Sequence, residues 1–595
     1  MFTTRPEIKG TFGVATSTHW IASSVGFGIL ERGGNAFDAA VAMGFVLQVV
    51  EPHLCGPAGE VPMALRPVQS GDVKILCGQG VTPQAATIEA YTSLGLDLVP
   101  GSGLLATVVP GAFDAWMLLL RDHGTMHLAD IMEPAIYYAD AGHPILPRVC
   151  DTIAGLADFF LEEWPTSAAT WMPGGAAPVP HSNFRNQPLA ATWRRIVADA
   201  RDKGGSREAQ IDAARDSFYR GFVAEAIDRF CRDNEVMDTS GRRHRGLLTG
   251  DDMAGWQASY DAPLSYDYHG WQVNKIGPWG QGPVFLQTLA LLKEVDLAAM
   301  PSAGSEFVHT LVEAMKLAFA DREAYYGDPD FVDVPMETLL SDTYNGSRRR
   351  LIGASASKEL RPGTVKGFED QLRNMLAALP EPVVGGAPGA GEPTMAHLTE
   401  RRGDTVHLDV IDRWGNMIAA TPSGGWLQSS PVIPQLGFAL NSRAQMFWLK
   451  PGLPASMGPK RRPRTTLTPT LATHQDGRAL VFGTPGGDQQ EQWQLALFLR
   501  YVHHGLNLQE AIDMPLFHSM HFPSSFYPRQ SQPGHMMAEG NFAECVIGEL
   551  RARGHLVEVA PEWSVGRLTA ASRDGDGLLR AAATPRLMQA YAVGR

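Results

Sequence analysis

The chain has few cysteines, and their spacing gives no sign of a metal site or a disulfide framework. The 595 residues contain 5 cysteines, an odd number that is widely scattered and never forms a C-x-x-C pair. They are Cys55, Cys77, Cys150, Cys231 and Cys545. We expect buried free thiols. The histidine pairs at 503–504 and at 518 and 521 have no matching cluster of ligands, so neither a metal nor a cofactor is predicted.

The sequence also lacks the features of nucleic-acid-binding and membrane proteins. Its formal net charge is -13, and no basic run could neutralise phosphates, so nucleic acid is not a predicted partner. The longest apolar run, 104–120, is interrupted by Pro110, Gly111 and Asp114 and is shorter than the ~20 residues of a spanning helix. No membrane partner is therefore predicted. Residues 1–10 contain no apolar segment or cleavage site of a signal peptide, which predicts a cytoplasmic location.

What the chain does contain is the composition of a large globular protein. With 44% hydrophobic and 19% charged residues it could bury an extensive core, and its length alone suggests several domains. Apolar residues at 308, 311, 312, 315 and 319 recur at helical spacing, with Lys316 and Arg322 between them, and predict an amphipathic helix. Residues 37–50 are apolar nearly all round. They predict a helix that is buried on more than one side.

The most informative feature is an abrupt change of pattern near residue 404. Residues 380–391 are rich in glycine and proline and carry no hydrophobic period. From Val406 to Val410 apolar residues alternate, which is the period of a half-buried strand, and residues 413–416 are typical of a turn into a second strand at 417–421. A linker therefore ends at Thr405, at the head of a strand.

A threonine in this position can become a nucleophile if the chain is cut immediately before it. A hydroxyl reacts poorly unless a base lies beside it, and a free α-amino group on the same residue can be that base. Cleavage between Asp404 and Thr405 would create the amine. On the local pattern alone, a surface loop that leads into an ordinary hairpin is the more common explanation, because Gly/Pro loops and threonines are frequent.

Motifs along nearly the whole chain resemble the γ-glutamyltransferase family. Segments similar to its large subunit are 33–40 (GGNAFDAA), 50–53 (VEPH), 109–112 (VPGA), 313–322 (EAMKLAFADR) and 327–331 (GDPDF). Segments similar to its small subunit are 458–469 (GPKRRPRTTLTP) and 483–487 (GTPGG). Each motif alone is weak evidence. Together, in the order that the family has them, they favour membership over a chance match.

The resemblance implies an N-terminal-nucleophile hydrolase of α+β class. Its fold would be a four-layer αββα sandwich, in which two antiparallel sheets are covered by helices. One precursor would fold, cleave itself and become a heterodimer. Residues 1–404 would be the large subunit, which ends in the Gly/Pro-rich linker 380–404, and residues 405–595 the small subunit, both in one structural unit. The implied partners are a small-molecule amide substrate and the two subunits of one precursor. The sequence leaves a higher oligomer open.

The resemblance also implies which residues do the chemistry. Thr405 would be the nucleophile, and Ser423 stands where the family usually has a threonine whose hydroxyl bonds the nucleophile. Gly486 and Gly487 match a glycine pair whose backbone N–H groups stabilise the oxyanion. Glycine suits this role because it lets the backbone approach the reacting centre. For Ser423, a strand-end serine that bonds the backbone is the structural alternative.

The residues expected to bind the substrate depart from the family pattern. The arginine that clamps the glutamyl α-carboxylate falls on Gln79, which lacks its charge and its bidentate fork. The acidic residue that meets the α-ammonium falls on Met446, so an ammonium would face the like charge of Arg443. The hydroxyl pair persists as Thr465 and Thr466. We therefore expect an amide with a carboxylate or other acceptor group, but without a free α-amino group.

Two other functions stay open from the sequence. One is a true γ-glutamyltransferase or glutathione hydrolase. The other is an uncleaved, non-catalytic binding protein of the same fold, which the altered pocket and the charged segment 400–404 would support. Against the binding protein stand the nucleophile, its helper hydroxyl and the glycine pair, which together are the parts that the chemistry requires.

Overall fold

Two seven-stranded sheets form the centre of the molecule, whose computed structural model describes residues 2–381, 395 and 404–595. The first sheet contains, in spatial order, Ile8–Gly10, Leu579–Ala583, Thr569–Arg573, Ala479–Gly483, Thr470–His474, Trp271–Lys275 and Leu264–Tyr268. The second sheet contains Tyr591–Gly594, Gly13–Ser17, Leu408–Asp412, Met417–Ala420, Val61–Arg66, Lys74–Gly78 and Ser259–Asp261. Every neighbouring pair of strands in both sheets is antiparallel.

Hydrophobic side chains divide the molecule into four layers. The strand Leu408–Asp412 shows how, because successive side chains of a strand point to opposite faces. Leu408 and Val410 pack against helices that cover the second sheet, whereas Ile411 packs in the gap between the two sheets. In the same way, Leu480 of the first sheet packs against helices on the far side. The predicted αββα sandwich is confirmed.

Helices cover both outer faces. Those over the second sheet are Trp20–Glu31, Ala36–Val50, Ala112–His123, Leu128–Asp140, Gln187–Lys203, Arg207–Tyr219 and Phe222–Asp233. Those over the first sheet are Gly282–Leu292, Ser305–Tyr325, Gln490–His504, Leu508–Asp513 and Glu544–Ala552. The other helices are Ile88–Thr92, Pro147–Gly155, Ala157–Glu162, Pro165–Trp171, Gly250–Ala254, Met336–Leu339, Asp342–Arg349 and Glu369–Ala378. Among the described residues, no helix is both long enough and apolar enough to cross a membrane.

Short elements complete the fold. Two-stranded pairs are His143–Pro144 with Asn183–Phe184, Val236–Met237 with Arg243–His244, and Val432–Ile433 with Phe438–Ala439. A small three-stranded sheet contains Phe517–Ser519, His535–Glu539 and Leu556–Ala560. The 3-10 turns are Leu104–Ala106, Leu297–Ala299, Arg443–Met446, Gly487–Gln489 and Arg586–Met588.

Two helices predicted from the sequence are present, one as expected and one with a difference. Ala36–Val50 is buried over its whole length and begins at a capping box formed by Asn35 and Asp38. Ser305–Tyr325 covers the predicted amphipathic segment, but Lys316 and Arg322 are buried too. Lys316 forms an ion pair with Glu313 in the same helix, which supplies the opposite charge that burial requires.

All five cysteines are free, as predicted. Four of them are buried, but Cys545 is exposed, so the prediction of burial was wrong for that residue.

Strands from both sides of residue 404 share the same sheets. The strand Leu408–Asp412 lies between Gly13–Ser17 and Met417–Ala420, and the latter pairs with Val61–Arg66. The several domains suggested by chain length are therefore not separate units here. Cutting one peptide bond before residue 405 would leave all of these strand pairings in place.

Candidate active site

Four polar side chains lie in one row across neighbouring segments of the second sheet. Thr405 pairs with Ser423, and Ser423 pairs with Glu60, both in antiparallel register. The pairing of Val61 with Gly78 continues the row from Glu60 to Gln79. Directly paired residues of antiparallel strands point to the same face. Thr405 and Ile411 are an even number of residues apart on one extended segment, so their side chains point to the same face. Ile411 packs in the gap between the two sheets, so the row faces this gap.

Ser423 connects the predicted nucleophile to the peptide bond before it. Thr405 Oγ1 donates a hydrogen bond to Ser423 Oγ at 3.2 Å, and Ser423 Oγ donates to the carbonyl oxygen of Asp404 at 3.0 Å. Arg443 Nη2 also donates to Ser423 Oγ. A hydroxyl has one proton to donate and two positions to accept. The three hydrogen bonds therefore use the one donor and both acceptor positions of Ser423 Oγ. Thr405 and Ser423 are both fully buried.

Arg443, which the sequence suggested as a cation of the binding site, already has an acidic partner. Its guanidinium forms an ion pair with Glu60, and both side chains are completely buried. Burial raises the pKa of the Glu60 carboxyl to about 7, while the charge of Arg443 and its hydrogen bond oppose the rise. Because Glu60 faces Arg443, the like-charge argument against an α-ammonium does not hold. Sequence reasoning missed Glu60, although a lone acid within the apolar stretch 54–65 was a usable signal.

The glycine pair adopts backbone conformations that other residues rarely take. Gly486 has φ +135° and Gly487 has φ +56°. A Cβ on Gly486 would come within 2.3 Å of the Trp493 ring. The pair leads through a 3-10 turn into the helix Gln490–His504. The amide dipoles at the start of such a helix favour negative charge. Gln490 Nε2 lies 3.4 Å from Thr405 Oγ1, which brings this helix end to the threonine.

A buried polar network holds the glycine pair and the threonine pair together. Gln281 Nε2 donates to the carbonyl oxygens of both Thr466 and Gly487, each at 3.1 Å. Arg322 donates to Gln281 Oε1 at 2.9 Å and forms an ion pair with Asp488, which follows Gly487. The predicted binding residues Thr465 and Thr466 thus lie beside the predicted oxyanion site. Thr466 Oγ1 makes no hydrogen bond to any described residue.

Gln79 stands at the far end of the row from Thr405. Its Nε2 donates to the carbonyl oxygen of Gly80 at 3.3 Å, and its Oε1 has no hydrogen-bond partner among the described residues. It lines a cavity of about 180 Å³ together with Lys460 and Arg462. The structure therefore places Gln79 on the same face as the threonine, three strand positions away, without a direct contact between the two.

Asp404, on the other side of the predicted cut, is anchored by an arginine. Its Oδ2 lies 2.6 Å from Arg567 Nη1, and the two side chains expose only 4% and 12% of their surface. The backbone N–H of Arg567 donates to Thr484 Oγ1 at 3.2 Å, two residues before Gly486. No sequence pattern marked Arg567, because its partner is 163 positions away by residue number.

Glu51, from the VEPH motif, is buried close to this ion pair. It accepts a hydrogen bond from Thr18 Oγ1 at 2.6 Å. Burial raises the pKa of Glu51 to about 7; the Thr18 hydrogen bond and the charges of Arg567 and Arg148 oppose the rise, and Asp404 adds to it. An acid with a raised pKa beside the predicted cut could exchange a proton near neutral pH.

The raised pKa of Glu51 predicts a pH-dependent stability. The folded chain holds the Glu51 proton between the unfolded value of about 4.5 and about 7, so this contribution is present at low pH and is lost as pH rises through 7. Between pH 5 and pH 7, the free energy of unfolding should fall by about 2 kcal/mol less in Glu51→Gln than in the chain with Glu51. Both are compared in the Thr405→Ala background, which keeps Asp404 in place. Urea unfolding at both pH values measures it. Equal declines with and without Glu51 would contradict the prediction.

One group of potential metal ligands lies elsewhere in the described residues. His309 Nδ1 and His555 Nε2 are 2.8 Å apart, with Glu313 close by. Glu313 already bonds Lys316 and Arg361, whose positive charges oppose a bound cation. His309 Nε2 bonds the carbonyl oxygen of Gly353. Each group has a protein partner, and we assign no metal to the cluster.

Comparisons with known proteins agree with the motifs. The profile of the family described as Gamma-glutamyltranspeptidase matches residues 22–594. The chain is 30% identical to the glutathione hydrolase-like YwrD proenzyme of Bacillus subtilis, with 98% of each protein covered. It is also 30% identical to the oxamate amidohydrolase proenzyme of Klebsiella pneumoniae, with 97% of each covered.

A solved structure shows the same similarity in three dimensions. The chain is 53% identical to the protein in the structure of LmbA2991HD, with a TM-score of 0.93 and full coverage of both chains. The family profile spans nearly the whole chain, and the motifs quoted from the sequence lie inside the matched range. The chain belongs to the gamma-glutamyltranspeptidase family of N-terminal-nucleophile enzymes, which act on amide bonds.

Proposed function

We propose that the chain is the precursor of an amidohydrolase or acyltransferase that cuts itself between Asp404 and Thr405 and then uses Thr405 as its nucleophile. The observation that carries this proposal is the run of hydrogen bonds from Thr405 through Ser423 to the carbonyl oxygen of Asp404. The Thr405 hydroxyl and a donor to the carbonyl oxygen thus lie at the same peptide bond. This supports the proposal, because such a donor would polarise the bond before the attack.

Self-cleavage would proceed through an ester. Thr405 Oγ1 attacks the carbonyl carbon of Asp404, and negative charge develops on the oxygen that Ser423 bonds. The charged N–H of Arg443 strengthens Ser423 as a donor. The C–N bond breaks when its nitrogen takes up the proton that the hydroxyl has lost. Water then cleaves the ester, which gives Asp404 a terminal carboxylate and Thr405 a free amine and its hydroxyl.

In the mature enzyme the new amine would activate the neighbouring hydroxyl. Thr405 Oγ1 would attack the carbonyl carbon of the amide substrate while the N–H groups of Gly486 and Gly487 stabilise the oxyanion. The amine of the substrate leaves, and water or an acceptor amine then takes the acyl group from Thr405. Residues 1–404 and 405–595 would stay together as a heterodimer, which the shared sheets support.

The acyl group is proposed to differ from γ-glutamyl. Gln79 stands where the family places the arginine of the α-carboxylate clamp, and an amide cannot replace its charge. The name of the Klebsiella pneumoniae relative, oxamate amidohydrolase, supports a small acidic amide as the substrate. A cytoplasmic location stays a prediction, and assembly beyond the heterodimer stays open.

One observation favours a true γ-glutamyl activity as the second candidate. Glu60 Oε2 is buried and makes no hydrogen bond to any described residue, so an acid is available to meet an α-ammonium. Hydrolysis of a γ-glutamyl anilide, compared with that of the acyl anilide without the amino group, distinguishes the two candidates. Faster turnover of the γ-glutamyl compound would favour the second.

Ser423→Ala should slow self-cleavage about 100-fold, because it removes a donor to the developing oxyanion. Ser423→Thr is the matched control, since it keeps the hydroxyl and should cleave at nearly the normal rate. The fraction of cut chain is followed on gels after expression at low temperature. A Ser423→Ala chain that matures as fast as the wild type would show that Ser423 does not assist the cut.

A further inference from the structure

Arg567 is the charged group that holds the side chain of Asp404 at the predicted cut. We propose that, once Asp404 has left, Arg567 binds a carboxylate on the acyl group of the substrate. This inference rests on the proposed self-cleavage and deepens it by naming a substrate class. It assigns a specificity-determining role to a residue that no sequence motif marked.

The position of Arg567 in the fold places it opposite the nucleophile. It lies two residues before the strand Thr569–Arg573, which pairs with Ala479–Gly483 of the first sheet. The strand Ala479–Gly483 leads directly to the glycine pair. Between the strand and the pair, Thr484 Oγ1 accepts a hydrogen bond from the backbone N–H of Arg567. Arg567 therefore approaches the start of the nucleophile strand from the other sheet, beside the proposed oxyanion site.

The charge of Arg567 is paired with Asp404 before the cut. Glu51 also lies near Arg567, but burial raises the pKa of Glu51 to about 7, so it carries only part of a negative charge near neutral pH. When Asp404 withdraws with the end of the large subunit, Arg567 loses its paired carboxylate. A buried guanidinium that loses its carboxylate is strongly destabilised. An anionic group of the substrate would restore the pairing.

The comparison with Arg443 supports Arg567 as the anion-binding residue. Arg443 is paired with Glu60, which belongs to the sheet and is not released by cleavage. Arg567 is paired with Asp404, which becomes the last residue of the large subunit after the cut. Of these two arginines, only Arg567 loses its carboxylate partner on maturation.

The self-cleavage ester indicates the length of the acyl group. In that ester the acyl group on Thr405 Oγ1 is the aspartyl residue itself, whose carboxylate is separated from the carbonyl carbon by two carbon atoms. A succinyl group has the same spacing. The substrate class is therefore the monoamide of a four-carbon dicarboxylic acid. Thr405 Oγ1 takes the succinyl carbonyl, the amine leaves with a proton, and water releases the dicarboxylic acid from the ester.

The test uses the mature wild-type protein and two activated acyl donors, so that recognition of the leaving group plays no part. These are the 4-nitrophenyl ester of succinic acid and its succinamoyl analogue, in which a carboxamide replaces the free carboxylate. The free carboxylate of the succinyl ester also displaces nitrophenol by itself, with formation of succinic anhydride, so kcat/KM is taken from nitrophenol release above the rate without protein. Peptide mass mapping then shows whether the acyl group is on Thr405. We expect the succinyl ester to react about 10- to 100-fold faster, which is the range for a hydrogen bond to a charged group.

Variants of the ion pair separate substrate binding from maturation. Arg567→Gln should remove the preference for the succinyl ester and leave kcat/KM for the neutral ester within about threefold, since only the charged contact is lost. Arg567→Lys is the matched control and should keep part of the preference. Asp404→Ala should slow self-cleavage but leave the preference of the mature enzyme unchanged, because Asp404 is absent from its site.

The outcomes distinguish the inference from the proposed function. A wild type that is cut before Thr405 but reacts equally with both esters, or with neither, overturns the role of Arg567 and leaves self-cleavage standing. An equal loss on both esters in Arg567→Gln also overturns it. If Arg567→Gln does not cut itself, the inference is decided by the ratio of kcat/KM for the two esters, measured in the wild type and in Asp404→Ala. An uncut wild type contradicts the proposed function itself.

Discussion

Thr405→Ala should remain a single chain of 595 residues and should lose amide hydrolysis by at least about 10⁴-fold. The effect is large because one residue supplies both parts of the nucleophile. Its hydroxyl attacks the peptide bond that Ser423 polarises, and its amine, released by that attack, then serves as the base. In one preparation, gel electrophoresis measures the loss of self-cleavage, and turnover of an acyl anilide measures the loss of amide hydrolysis.

Thr405→Ser is the matched control, because it keeps an oxygen at the same position. It should still cut itself and retain measurable hydrolysis. Self-cleavage of Thr405→Ala at the wild-type rate would place the nucleophile elsewhere in the chain. Loss of both functions in Thr405→Ser together with a lowered melting temperature would point to a packing effect of the missing methyl group.

Arg443→Met should lower the free energy of unfolding by about 3–5 kcal/mol, because it leaves the buried charge of Glu60 without a partner. It should also slow self-cleavage, since Ser423 loses the charged donor that strengthens it. Urea unfolding in the Thr405→Ala background gives the first quantity without interference from cleavage. The rate at which the full-length chain disappears gives the second.

A double variant separates these two effects. Glu60→Gln combined with Arg443→Met removes both charges of the buried pair, so most of the lost stability should return. Self-cleavage should stay slow, because Ser423 still lacks its donor. Recovery of cleavage in parallel with stability would mean that Arg443 acts on the fold alone and not on the peptide bond.

The fold and the candidate site residues were accessible from the sequence because its motifs resemble those of one family, and the strand behind Thr405 was accessible because its signal is local. The alternation from Val406 to Val410 marked the strand behind Thr405, and the structure has a strand at Leu408–Asp412. The spacing of Thr405, Ser423 and the glycine pair followed from family motifs. The structure brings Thr405, Ser423 and the start of the helix after the glycine pair together.

The rest could not be read from the sequence because it depends on partners that are far apart along the chain. Glu60 and Arg443 are separated by 383 positions, and their ion pair appears only when the sheet aligns Glu60 with Ser423. The same reason explains Arg322, which the sequence placed on the polar side of a helix. Its partner Asp488 lies in another element and allows it to be buried.

Intact-mass measurement of the purified wild-type protein shows whether the chain cuts itself before Thr405. We expect two polypeptides whose masses match residues 1–404 and 405–595, with Thr405 as the first residue of the smaller one. A single polypeptide with the mass of all 595 residues, or a cut at another peptide bond, would contradict it.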